Sequence, residues 1–177
     1  MPPAAVTLTP VAEPDFAVLR ELAGTIWRQH YAAIISPAQI KYMLAGRFSN
    51  EALRMHIQAA DRWLELLRVS GAPAGYCGYE LAAMEGDGSE VAPAAMKLGQ
   101  LYVLESNRGM GLGRYMLGQI EQRARDLGRH LLWLQVNKRN TGAIAFYQAA
   151  GFGVVWEAVF EIGGGFVMDD YVMVKQV

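Results

Sequence analysis

A single cysteine, Cys77, stands among 177 residues. No internal disulfide can form, and thiol-pair redox chemistry is excluded. Three histidines, His30, His56 and His130, are too scattered for metal-ligand spacing, so no metal is expected. No apolar run approaches the roughly 20 residues that span a bilayer, and the first residues, MPPAAVTLTPVAEPDF, lack the positively charged start of a secretion signal. The expectation is a soluble, cytoplasmic protein with no membrane partner. Charge of one sign is also lacking: 16 basic side chains face 17 acidic ones, a net charge of −1. That balance argues against the basic surface of a nucleic-acid binder, and it leaves room for a local anion site. Neither a G-x-S-x-G elbow nor a nucleophile signature around Cys77 is present, so hydrolytic chemistry has no support.

What is abundant is apolar material, 53% of the chain, and glycine, 19 residues. Length and hydrophobic content predict one domain over residues 1–177. Val6 to Thr9 reads as a strand, followed by an amphipathic helix over Asp15 to His30 with Val18, Leu19, Leu22 and Ile26 on one stripe. Ser36 and Pro37 open a second helix running to about Leu44, and Ser49 or Asn50 caps a short third. Trp63 to Val69 and Tyr76 to Met84 read as a hairpin around a turn at Gly71 to Gly75, with a solvated acidic loop over Glu85 to Glu90. Lys97 to Leu104 is the next strand. After it come a glycine-rich turn, a helix from Leu112 to Gly128, a buried strand from His130 to Val136, and a short helix ended by Gly151. Val154 to Ile162 and Phe166 to Val174 form the closing hairpin.

Gly109, Gly111 and Gly113 lie between a strand and a helix start, where bare backbone amides and the helix terminus favour an anion. A phosphate or pyrophosphate is the natural ligand. Spacing then discriminates. Gly113 is followed by Arg114 and Tyr115, not by the Lys-Ser/Thr of a P-loop. The next strand ends in Gln135-Val136-Asn137, without the acidic residue that a dinucleotide fold uses on ribose.

The remaining pattern, Arg108-x-x-Gly111-x-Gly113, resembles the acyl-CoA pyrophosphate loop of the GCN5-related N-acetyltransferase (GNAT) superfamily. The preceding Leu101 to Val103 is similar to its splayed fourth strand. Asn140-x-x-Ala143-x-x-Phe146-Tyr147, with Gly151-Phe152, resembles its second signature. The likeness covers nearly the whole chain. HYAAIISPAQIKYML and VMDDYVMVK further resemble a bacterial branch that includes polyamine acetyltransferases. The resemblance implies an α/β (α+β) fold whose mixed, mostly antiparallel sheet is splayed at the fourth strand and flanked by helices. It implies an acetyl-CoA-dependent transferase acting on a primary amine of a small molecule, polyamine-like or amino-acid-like, or on a peptide amine. The alternative is a catalytically silent acyl-CoA-binding regulator or partner protein.

Carried over residue by residue, the resemblance puts the pyrophosphate on amides of Gly109, Met110, Gly111, Leu112 and Gly113, with Arg108 or Arg114 adding charge. The main chain of Leu101, Tyr102 and Val103 would hold the pantetheine arm and polarise the thioester. Tyr147 would protonate the departing thiolate, as a phenol of pKa near 10 can do. Asn140 reads both as a cofactor contact and as an N-cap. For the base that accepts the amine's proton, the family's fourth-strand carboxylate is replaced by Lys97 and Gln100. Glu80, His30, Tyr31 and Asp169 or Asp170 remain as alternatives. Trp27, Tyr31 and Tyr42 either belong to the core or wall the acceptor site, where with Glu80 they would favour a cationic amine. The exposed strands of the closing sheet offer a route to a homodimer.

Overall fold

A computed structural model describes residues 5–84 and 95–177; the acidic loop expected over Glu85 to Glu90 lies outside the described residues. In chain order the elements are β1 (Val6–Pro10), α1 (Phe16–Tyr31), α2 (Pro37–Phe48), α3 (Asn50–Gln58), β2 (Arg62–Val69), β3 (Ala72–Leu81), β4 (Ala95–Val103), α4 (Leu112–Asp126), β5 (Leu131–Asn137), α5 (Thr141–Ala149), β6 (Gly153–Gly163) and β7 (Phe166–Gln176). The strands form one sheet in the order β1-β2-β3-β4-β5-β7-β6. It is the mixed, mostly antiparallel sheet that the sequence predicts, with β4 and β5 as its parallel pair. The chain divides into two compact units, Met1–Tyr79 with Gln100–Leu117, and Glu80–Gly99 with Gly118–Val177. No helix among the described residues is long and apolar enough to cross a membrane.

In the first unit, α1 turns Leu19, Leu22, Ala23, Ile26 and Trp27 inward; Val18, read from the sequence on the same stripe, is 38% exposed, because the buried arc is centred on Leu19, Ala23 and Ile26. Ser36 Oγ accepts from the Gln39 amide at 3.1 Å and Pro37 fills the first turn, which starts α2 as expected. The helix runs one turn past Leu44, through Gly46 to Phe48. A helix-interior glycine costs only about 1 kcal/mol, whereas burying Phe48 to 2% exposure returns about 1.5–3 kcal/mol. Ser49 Oγ then accepts from the Ala52 amide and opens α3.

The hairpin differs from its reading. Ser70 (φ 50°) and Gly71 (φ 84°) alone make the turn. A two-residue turn with both positions left-handed matches strand twist, so Ala72 to Gly75 belong to β3. Gly75 is needed there for another reason: a Cβ would run into the Tyr102 carbonyl oxygen and the Val103 Cα. Alongside this contact the Leu104 amide donates to the Ala74 carbonyl at 2.8 Å.

In the second unit, β4 and β5 pair through Ala95↔Leu131, Met96↔Leu132 and Lys97↔Trp133. Pairing stops there although β4 continues to Val103 and β5 to Asn137, which is the splay expected of the fourth strand. On its other side β5 pairs with β7 over its whole length, from Leu131↔Gln176 to Asn137↔Asp170. β6 and β7 close the sheet around Gly163, Gly164 and Gly165, all with positive φ.

Replacing Gly75 by Ala should lower thermal stability by about 1–3 kcal/mol, because two backbone atoms stand in the way of the new methyl. Gly46→Ala meets nothing within 4 Å and should raise stability by about 0.5–1 kcal/mol. Equal shifts in the two melting curves would dismiss the Gly75 contact.

Candidate active site

Beyond β4 the chain makes a single 3-10 turn over Glu105–Asn107, extends at Arg108, and turns left-handed twice, at Gly109 (φ 79°) and Gly111 (φ 74°), before α4 begins. Nothing lies within 4 Å of a Cβ at either glycine, so the demand is torsional rather than steric. The Tyr115 amide bonds to the Gly111 carbonyl at 2.9 Å. The amides of Leu112 and Gly113 come before that first helical bond, at the positive end of the helix dipole. Leu112 is 4% exposed and anchors the helix start, while the side chains of Arg108, Met110 and Arg114 are exposed. Gly113 sits in the first helical turn without a left-handed torsion.

An aromatic layer lies at the end of α1. Trp27 is 1% exposed, and its indole N–H donates to the Tyr76 hydroxyl at 2.7 Å. The Tyr31 and Tyr102 hydroxyls are 2.8 Å apart. The Trp27 and Tyr102 rings lie 5.7 Å apart, and those of Tyr76 and Tyr102 5.3 Å. Burial pushes the Tyr76 phenol well above the ordinary tyrosine range, and the neighbouring Tyr102 pushes in the same direction. It stays neutral and serves as a hydrogen-bonding platform. His30 stands edge-on to Tyr102, and Arg108 Nη2 lies 3.4 Å from His30 Nδ1. The structure thus brings together Trp27, Tyr31, His30, Tyr102 and Arg108. Burial gives Trp27 to the core beneath this layer, so it offers no face of its own to an acceptor. Tyr42, on α2, is 40% exposed.

Asn140 and Tyr147 belong to the second unit, both at α5. Asn140, 6% exposed, accepts the Ala143 amide with Oδ1 at 3.3 Å and is the N-cap of α5. Tyr147 is 9% exposed, flanked by the rings of Phe146 and Phe152 at 5.2 and 5.5 Å. Glu80 is partly buried near the end of β3 and belongs to this same unit. Asp169 is half exposed and ion-paired with Lys138 at 2.7 Å, and Asp170 is buried opposite Asn137.

Sequence reasoning gave Tyr102 a main-chain role only and passed over Tyr76. Nothing local marks two tyrosines 26 positions apart as partners of α1; strand pairing creates that neighbourhood. It also passed over Arg20 and Arg28, whose i, i+8 spacing about Gly24 was readable as one helix face. Helices α1 and α2 are cationic: they carry Arg20, Arg28, Lys41 and Arg47 against Glu21 alone.

The family model described as Acetyltransferase (GNAT) family matches residues 21–152. The chain belongs to the acetyltransferase (GNAT) family. An uncharacterised N-acetyltransferase from the pepI 3′ region of Lactobacillus delbrueckii subsp. lactis is 25% identical over 158 residues, covering 89% of this chain and 90% of that protein. The crystal structure of the PaiA N-acetyltransferase from Thermoplasma acidophilum in complex with coenzyme A superposes with a TM-score of 0.80 at 21% identity, over 98% of this chain and 99% of that one. The structure of YncA, a putative acetyltransferase from Salmonella typhimurium with acetyl-CoA, gives 0.63 at 22% identity over 97% and 94%.

Gly111→Ala forces an L side chain to φ 74° at a cost of about 1–2 kcal/mol. Calorimetric titration should show coenzyme A binding weakened by roughly tenfold, and unchanged affinity would separate this glycine from the cofactor.

Proposed function

We propose that this acetyltransferase moves the acetyl group of acetyl-CoA onto a primary amine of a small molecule, by direct attack of the amine on the thioester. The observation that carries this reading is the pair of left-handed glycines ahead of α4, which leaves bare amides at a helix N-terminus directly after the splayed strand. The coenzyme A and acetyl-CoA complexes of the PaiA and YncA proteins support the cofactor. In this reading the amides of Gly109 to Gly113 hold the pyrophosphate and Arg108 and Arg114 add charge. Each helix-end contact is worth about 0.3–1 kcal/mol when exposed, so several act together. The main chain of Leu101 to Val103 positions the pantetheine arm and thioester.

The amine's lone pair forms the new C–N bond, the C–S bond breaks, and the thiolate leaves with the electron pair. Tyr147 supplies the proton that thiolate takes up. A phenol near pKa 10 is a weaker acid than a thiol near 8.5, so the transfer completes as the C–S bond breaks rather than before it. The amine begins as an ammonium of pKa about 10.4, neutral only about once in 2,500 molecules at pH 7, a deficit of about 4.6 kcal/mol. His30 is the one imidazole beside the aromatic layer, the side-chain type whose proton exchange suits neutral pH. Asp169 is already engaged in an ion pair with Lys138.

With acetyl-CoA and a panel of amino acids, polyamines and peptide amines, coenzyme A release should reveal at least one acceptor. Tyr147→Phe should lower turnover about a hundredfold or more with little loss of coenzyme A affinity. Binding of coenzyme A with no turnover across the panel would instead make the protein a cofactor-binding regulator.

A further inference from the structure

Between α1 and α2 lies a groove of about 290 Å³, lined by Arg20, Gly24 and Arg28 of α1 and by Leu44, Phe48 and Ser49 at the end of α2 and the start of α3. Residues 20, 24 and 28 lie on one stripe of α1 by their i, i+4 spacing. The middle position is glycine in a helix interior, where alanine would be favoured by about 1 kcal/mol. Its bare surface is where Arg28 lies: a Cβ at Gly24 would approach Nη1 and Nη2 of Arg28 to 3.1 Å.

The two arginines are differently employed. Arg20 is committed to the fold, its Nε donating to the Phe48 carbonyl at 2.9 Å and its Nη2 to Asn50 Oδ1. It covers the negative end of α2. Arg28 makes no hydrogen bond or ion pair with any described residue. The N-terminus of α3 opens at Ser49 on the same groove and adds its partial positive charge. Arg47 lies over the Trp27 ring at 5.8 Å, so a further cation stands near this face. Glu21 is the single acidic residue of the two helices.

The groove and the aromatic layer share helix α1. Tyr31 follows Arg28 by three residues on the same face of α1, one helical turn or about 5 Å along the axis, and its hydroxyl meets Tyr102 at the end of β4. We infer that the amine acceptor carries an anionic group, a carboxylate or a phosphate, and that this group binds in the α1/α2 groove with Arg28 as its principal partner. The inference rests on the acetyltransferase reading and narrows it. It selects acceptors whose amine and anion are separated by about one to two helical turns, roughly 5–10 Å, such as ω-amino acids, short peptides or aminoalkyl phosphates. It disfavours polyamines, whose charges meet like charge along both helices.

The test compares four acceptors of matched length under saturating acetyl-CoA: an ω-amino carboxylic acid, its carboxamide, an aminoalkyl phosphate and an α,ω-diamine. The anionic acceptors should exceed the carboxamide in kcat/KM by at least tenfold, and the diamine should be poorest. Arg28→Gln should bring the acid-to-amide ratio to about one, and Arg28→Lys should restore part of it, with melting curves confirming the fold of each variant. The stronger of carboxylate and phosphate names the source of the anion. Parity of acid and amide in the wild type, a diamine preferred over both, or a ratio unmoved by Arg28→Gln would each overturn the inference while leaving the transferase standing. If no amine is acetylated, the transferase reading fails. Calorimetric titration of the same acid and amide onto the coenzyme A-loaded protein then decides the groove by itself: a preference for the acid that depends on Arg28 sustains it, and equal binding removes it.

Discussion

The end of β4 is seated on β3 through a contact that has no room for a side chain. Gly75 faces the Tyr102 carbonyl and the Val103 Cα, and the Ala74 carbonyl takes the Leu104 amide. Everything in the first unit that bears on chemistry follows from where this strand end is held. The 3-10 turn, the two left-handed glycines and the start of α4 leave directly from it. Its one large side chain, Tyr102, reaches the aromatic layer of Trp27, Tyr31 and Tyr76. A shift of β4 by a fraction of an ångström would therefore move the glycine loop and the aromatic layer together.

The aromatic layer is rigid because its polar ends are paired inside it. The Trp27 indole is satisfied by Tyr76, and Tyr31 and Tyr102 satisfy one another. Offset and edge-on ring pairs add about 0.5–1.5 kcal/mol each beyond their burial. Since burial keeps Tyr76 neutral, this layer shapes and orients; its rim carries two charged or ionisable features. One of those is His30, and the cationic stripe beginning at Arg28 is the other charged feature of the same helix.

Much of this was legible in the sequence because it depends on local rules. Glycine at Gly109 and Gly111 announces left-handed backbone, Ser36 and Ser49 announce helix starts, and an unbroken apolar run such as Leu131 to Leu134 announces a strand covered on both faces. The hairpin turn was misplaced because one of its two left-handed residues is Ser70, not glycine, while the more conspicuous Gly75 serves a steric need that arises only once β3 and β4 are paired. Pairing across the sheet likewise explains why Tyr76 was invisible. The charge of α1 and α2 was hidden differently: a net −1 over the whole chain averages away their local excess of cations.

Under the proposed function the amine must lose a proton, and His30, proposed to take it, lies beside Arg108. Arginine only donates hydrogen bonds, so the contact from Arg108 Nη2 to His30 Nδ1 makes that nitrogen the acceptor and places the imidazole proton on Nε2. The Nδ1 lone pair of an imidazole so arranged is occupied by that contact. A pyrophosphate on the neighbouring loop would compete for the same guanidinium, and a charge-assisted bond to phosphate is roughly twice as strong as one between neutral groups. The 3.4 Å contact to His30 is long by comparison. Under the proposed function, occupation of the anion loop and release of the imidazole lone pair thus run in the same direction.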